Sequence, residues 1–236
     1  MEEKLNELAT RLKSTFGDRL ISAILFGSAA SGDWNKGASD LNILCVLSQV
    51  SSRELRESEP IFRWWREQKN PPPLLMSAAE VRSSTDCFPM EFRDMQSHRR
   101  VLTGSDIIAE ITVDRSFYRA QVEHELRSKL LRLRQKAAEV LSRPKDLIAL
   151  LTDSVSTFCI VGRHALLLSG REARWPKRDV VADFEKVLGI PFDAFKTILN
   201  LRAAGKPSNN FDAVLLFEKY LKEIEALVTF VDQIDK

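Results

Sequence analysis

The sequence contains few cysteines and no long hydrophobic run. Its three cysteines, Cys45, Cys87 and Cys159, are widely separated and lack the spacing of a metal site, which favours a reducing, cytoplasmic compartment. No apolar run approaches the roughly 20 residues that cross a bilayer. The first dozen residues also lack the apolar region of a signal peptide. These absences predict a cytoplasmic protein that does not act at a membrane.

Neither sign of charge dominates the chain. It has 35 lysines and arginines against 33 aspartates and glutamates, a formal net charge of +2, so bulk electrostatics favour no particular class of partner. Basic residues do concentrate between Arg115 and Lys136, but glutamates are interspersed among them. This pattern favours a solvated helix face over a nucleic-acid surface, which is kept as an alternative.

The first 47 residues predict one helix followed by two strands. Apolar residues at helical spacing predict an amphipathic helix over residues 2–16, and Gly17 ends the pattern. Short apolar runs predict strands over residues 21–26 and about 41–47. The polar segment between them, which is rich in glycine, asparagine and aspartate, predicts a loop.

The next segment predicts further elements of a sheet. Leu74, Leu75 and Met76 predict a short strand, and the capping-box spacing from Ser77 to Glu80 predicts that a helix follows it. Residues 88–95 predict a third strand that carries Glu91, and residues 96–104 predict a helical turn.

From about residue 116 the sequence shows only helical periodicity. This predicts a helical bundle after an N-terminal region with a mixed sheet and flanking helices, which is an α+β fold. At 236 residues the chain is long enough for two modest domains. The change in pattern predicts domains over residues 1–112 and 113–236.

The two predicted strands bring together residue types that suit phosphate and metal chemistry. The first strand ends in Gly27 and Ser28, and the second begins at Asp40, Leu41 and Asn42. Because side chains alternate along a strand, Asp40 and Asn42 are expected on the same face. Backbone amides in a turn bind phosphate oxygens, and hard cations such as Mg²⁺ take oxygen ligands. Glu91 on the third strand would supply a further oxygen ligand.

These residues resemble the signature of the nucleotidyltransferase (DNA polymerase β-like) superfamily. The resemblance covers residues 20–47 and, more loosely, residues 86–104, in the segments LFGS, SDLNILCVL and FPMEFRDM. A small nucleotidyltransferase domain followed by helices is similar to the kanamycin-type aminoglycoside nucleotidyltransferases and the minimal nucleotidyltransferases.

The resemblance implies a role for each matching residue. Gly27, Ser28 and Ser39 would bind the nucleoside triphosphate substrate. Asp40, Asn42 and Glu91 would hold Mg²⁺ or Mn²⁺, and Asp40 and Glu91 would be catalytic. Glu91 would accept the proton of the attacking hydroxyl, with Asp94 as the fallback because the register of the strand is uncertain.

Two positions depart from the family pattern. Asn42 stands where a second carboxylate is expected, and Ser31 stands where many relatives carry a basic residue. Two functions therefore stay open. The first is Mg²⁺-dependent transfer of a nucleoside monophosphate from a nucleoside triphosphate to the hydroxyl of a small-molecule or macromolecular acceptor. The second is a catalytically degenerate binding or regulatory protein, and a homodimer is possible with either.

Overall fold

The computed structural model describes residues 1–31, 40–205 and 212–234, with the side chain of Ser31 excepted. The chain divides into two compact units, Met1–Phe117 and Tyr118–Lys236. The predicted domains, 1–112 and 113–236, stay a prediction.

The first unit is built on a four-stranded sheet in the order β3-β2-β1-β4. Strand β1 pairs antiparallel with β2 and with β4, whereas β2 and β3 are parallel, so the predicted mixed sheet is confirmed. The strands are β1 (Leu20–Phe26), β2 (Asn42–Leu47), β3 (Leu74–Ser77) and β4 (Arg99–Gly104). The helices of this unit are α1 (Glu2–Phe16), α2 (Ser28–Ser31), α3 (Ser52–Glu67), α4 (Ala78–Ser83) and α5 (Pro89–Ser97).

Alternating side chains in β2 give the sheet two buried faces. Ile43, Cys45 and Leu47 pack with residues of α1 and α3, on what we call the α1 face. Leu44 and Val46 pack with residues of α4 and α5, on what we call the α5 face. Both faces are covered, which is why β2 is a continuous apolar run in the sequence.

The predicted strand over residues 88–95 is wrong, because Pro89–Ser97 form helix α5. The apolar residues at positions 88, 90 and 92 imitate the alternation of a strand. The buried pair Phe92 and Met95 instead has the i, i+3 spacing of a helix, and Pro89 occupies the first turn, where its missing N–H costs nothing. The predicted helical turn over residues 96–104 is also wrong, since Arg99–Gly104 form strand β4.

The second unit consists of helices in the part of the chain that the structure describes. They are α6 (Tyr118–Val140), α7 (Pro144–Leu168), α8 (Lys177–Leu188), α9 (Asp193–Ala204) and α10 (Ala213–Gln233). Helices α7 and α8 approach closely at Gly162, where a Cβ atom would lie 2.4 Å from the Phe184 ring. The predicted helical region is confirmed. Across the described ranges, no helix is long and apolar enough to cross a membrane.

A buried carboxylate ties the start of α3 to the start of β1. Glu54 is inaccessible to solvent, accepts hydrogen bonds from Ser51 N and Oγ, and forms an ion pair of 2.7 Å with Arg19. The hydrogen bond from the Ser51 side chain, together with backbone hydrogen bonds and Arg19, outweighs burial and lowers the pKa of Glu54 to about 2.

Replacing Glu54 by glutamine is therefore expected to destabilise the protein most near neutral pH. A carboxyl group whose folded-state pKa is depressed contributes stability above its ordinary pKa of 4.5, and this contribution is lost as the pH falls toward about 2. Urea unfolding of wild type and Glu54→Gln at pH 7 and pH 3 measures this difference. Glu59→Gln, which removes an exposed ion pair with Arg63, is the matched control. An equal loss of stability at both pH values would contradict the assignment.

Candidate active site

The turn after β1 has the backbone conformation that the Gly-Ser pair suggested. Gly27 has a φ of +77°, which glycine adopts without the penalty that a Cβ atom imposes. The Ala30 N–H donates to the Gly27 carbonyl at 3.0 Å and closes the turn into the short helix α2. The glycine therefore exposes backbone at the end of a central strand.

Asn42 lies directly beside this turn. It is the first residue of β2 and pairs with Phe26, the last residue of β1. A Cβ atom on Gly27 would lie 3.1 Å from Asn42 Nδ2, so the amide group packs against the glycine. The structure thus brings the two predicted segments together at one edge of the sheet.

Asp40 precedes β2 by two residues at the same edge and is exposed. Leu41, between Asp40 and Asn42, is only 4% exposed and packs on the α1 face together with Ile43. Strand alternation therefore places Asn42 on the α5 face together with Leu44. The start of β2 therefore carries a carboxylate, from Asp40, and an amide, from Asn42.

The sheet itself supplies no acidic ligand. Within the described residues, none of the four strands contains an aspartate or a glutamate. In the parallel pair the register begins at Leu44, which lies beside Leu74, so β3 does not reach the position of Asn42.

The acids predicted for the third position lie on helix α5 instead. Glu91 is exposed in its first turn, and Asp94 follows one turn later with its Oδ1 atom buried. Helix α5 ends at Ser97, and β4 begins at Arg99, which pairs with Phe26. Along the chain, Asp94 is therefore one helical turn closer than Glu91 to Arg99 at the start of β4.

Arg99 is a charged residue at this edge that the sequence reasoning missed. Its register with Phe26 places it on the α5 face, in the same row of the sheet as Asn42. Arg99 Nε donates to both Asp106 oxygens at 2.8 and 3.0 Å, and the hydrogen bond lowers the pKa of Asp106. Only the correct assignment of β4 as a strand could have indicated this position.

The residues at this edge carry the oxygen ligands that a hard divalent cation prefers. Asp40 offers carboxylate oxygens and Asn42 an amide oxygen, and Mg²⁺ is commonly held by one or two such groups together with substrate phosphates. In the parts of the chain that are described, no group of three or more histidine, cysteine, aspartate or glutamate residues is arranged to hold a metal. Ser39 lies outside the described residues. The roles of all the predicted site residues stay predictions.

Comparisons with known proteins bear on the family and the fold of the chain. A family model described as a nucleotidyltransferase domain matches residues 5–155. A solved structure of spectinomycin adenyltransferase AAD(9) from Enterococcus faecialis, with ATP and spectinomycin, is similar in fold, with a TM-score of 0.61 and 13% sequence identity. The match covers 95% of this chain and 99% of that one. No curated protein matched the sequence.

Proposed function

The chain belongs to the nucleotidyltransferase domain family, and we propose that it transfers a nucleoside monophosphate from a nucleoside triphosphate to an acceptor hydroxyl with the help of Mg²⁺. The observation that supports this proposal most directly is the meeting of Gly27 and Asn42 at the sheet edge, with Asp40 beside them. A glycine turn offers backbone N–H groups to phosphate oxygens, and Asp40 offers a carboxylate to the cation that accompanies them.

In the proposed reaction, each residue at this edge would have a separate role. The backbone of Gly27 and Ser28 and the Ser28 hydroxyl would bind the triphosphate. Asp40 would hold the cation, which when bound aligns the phosphates and neutralises developing charge. The acceptor oxygen forms a bond to the α-phosphorus while the bond from that phosphorus to the β-phosphate oxygen breaks, and pyrophosphate leaves. An acid of α5 would accept the hydroxyl proton: Glu91, or Asp94, which is closer to β4 along the chain.

The second candidate is a protein that binds the nucleotide and does not transfer it. Asn42 and the strands without acids favour it, because phosphoryl transfer depends mainly on electrostatic stabilisation of the transition state. A neutral amide in place of a carboxylate removes one negative charge from the groups that would hold metal ions next to the phosphates.

The substrates follow from the solved relative only as proposals. That structure contains ATP and spectinomycin, so ATP is the first nucleotide to test here and a hydroxylated small molecule is the first acceptor class. Protein hydroxyls and RNA ends are the other acceptor classes, and homodimer formation stays a prediction.

Calorimetric titration with ATP and GTP, with and without Mg²⁺, tests the proposal on the full chain. Mg²⁺ is expected to strengthen binding of one nucleotide by about tenfold or more, because the phosphates and Asp40 share the cation. Pyrophosphate release with any of the three acceptor classes supports transfer. Metal-dependent binding without release in all of them supports the second candidate. Nucleotide binding without metal dependence would contradict the first candidate, and no binding at millimolar nucleotide would contradict both.

A further inference from the structure

The side-chain amide of Asn42 lies next to Gly27, where it could contact a bound ligand. Its Nδ2 atom faces Gly27, at 3.1 Å from the position of a Cβ atom there, and the side chain is half-buried. In the described part of the chain, no hydrogen bond to another residue engages this amide. The nitrogen of this amide, which carries two N–H donors, therefore lies next to the turn that would bind phosphate.

An amide cannot replace a carboxylate between two dications. In two-metal sites the cations lie roughly 3.5–4 Å apart, and a bridging carboxylate offsets their repulsion with its charge and with an oxygen for each cation. The amide of Asn42 has one acceptor oxygen and no charge. A cation held by Asp40 can take that oxygen, but a second cation would lack its anionic ligand.

The strands of the described edge do not restore the missing charge, because none of them carries an acid. Arg99 lies in the same row on the same face, and its charge is paired with that of Asp106 through two hydrogen bonds. The acids of α5, Glu91 and Asp94, are assigned to the hydroxyl proton in the proposed function and not to a cation. In the described part of this edge, Asp40 is then the one acid left as an anionic ligand for a cation.

Resting on the proposed function, we infer that the site takes a single divalent cation at Asp40 and that the Asn42 amide donates a hydrogen bond to the triphosphate. The amide then supplies, as a donor to phosphate oxygen, part of the stabilisation that a second cation would give. A hydrogen bond to a charged group is expected to strengthen binding by roughly 10- to 150-fold.

Counting Mn²⁺ ions by electron paramagnetic resonance tests the inference without any turnover. The full chain is titrated with Mn²⁺ in the presence of an ATP analogue with a methylene group between the α- and β-phosphates. Wild type is expected to bind one Mn²⁺ per chain only when the analogue is present. Asn42→Asp is expected to bind a second Mn²⁺, whereas Asn42→Ala keeps one and binds the analogue about tenfold or more weakly. Asn6→Asp, on the exposed side of α1, is the control for added charge.

The outcomes separate the inference from the proposal on which it rests. Two analogue-dependent Mn²⁺ ions in wild type would overturn the inference and leave the proposed function intact. No analogue-dependent Mn²⁺ would overturn the proposed function itself. Unchanged affinity for the analogue in Asn42→Ala would overturn the donor role of the amide. The wild-type count of Mn²⁺ ions does not depend on any variant. Circular dichroism checks that Asn42→Ala is folded, and Asn42→Ser is the second variant to use if it is not.

Discussion

Replacing Asp40 by asparagine is expected to abolish the Mg²⁺-dependent gain in nucleotide binding and to lower any transfer rate by about 100-fold or more, the usual cost of removing a group that stabilises the charge of a transition state. The size of the effect follows from the neighbourhood of Asp40. Asn42 is uncharged and the described strands contain no acid. The variant would leave two amides at the open end of β2.

The same calorimetric titration and pyrophosphate assay measure this change. Asp18→Asn is the matched control, because Asp18 is exposed and lies before β1, at the opposite end of that strand from Gly27. Metal-dependent binding is expected to survive in the control. If Asp40→Asn bound the nucleotide with the same metal dependence as wild type, Asp40 would not be the metal ligand.

Gly104→Ala is expected to lower the free energy of unfolding by a large amount. Gly104 ends β4 with a φ of +84°, and an added Cβ atom would lie 2.1 Å from the carbonyl oxygen of Ile21. The other close atoms, Ile21 C and Ser22 Cα, are also backbone, so no flexible side chain can move away. The adjacent hydrogen bonds from Ser22 Oγ to the Ser105 carbonyl and from Ser105 N–H to Ile21 would be disturbed. Backbone strain and displacement together are expected to cost about 3 kcal/mol or more.

Gly17→Ala separates the two contributions to this cost. Gly17 also has a positive φ, +51°, but no atom lies within 4 Å of its Cβ position. The control therefore carries only the conformational penalty, about 1–3 kcal/mol for a residue in a sparsely populated region of φ and ψ, since Gly17 has a ψ of −127°. Urea unfolding of the full chain, followed by circular dichroism, is expected to show a much larger loss for Gly104→Ala. Equal losses for the two variants would contradict the steric argument.

Local sequence was sufficient to predict the centre of the first unit. Strands β1 and β2, the turn at Gly27, and the sharing of one face by alternate residues all follow from short apolar runs and from glycine. The capping box at Ser77 and Glu80 is formed as predicted and begins α4. The helical periodicity after residue 116 is equally local, because a helix such as α6 buries one stripe of its own residues.

The third acidic position could not be predicted in the same way. Residues 88–95 contain apolar positions that satisfy the period of a strand and the period of a helix alike, so their tertiary neighbours decide between them. Phe92 and Met95 pack together on the α5 face with Ile24 and Leu44. That contact selects the helix, and it moves Glu91 and Asp94 from a strand to a helix above the sheet.

By itself, the sequence determined which residue types lie at the proposed phosphate and metal site: Gly27, Asp40 and the substitution at Asn42. Chain connectivity and the two-residue period of a strand are enough for that. Only the tertiary structure decided what surrounds Asn42. The pairing of β1 with β2 puts its amide against Gly27, and β4 adds Arg99 to the same row. These neighbours come from distant parts of the chain, and their register depends on the packing of both faces of the sheet.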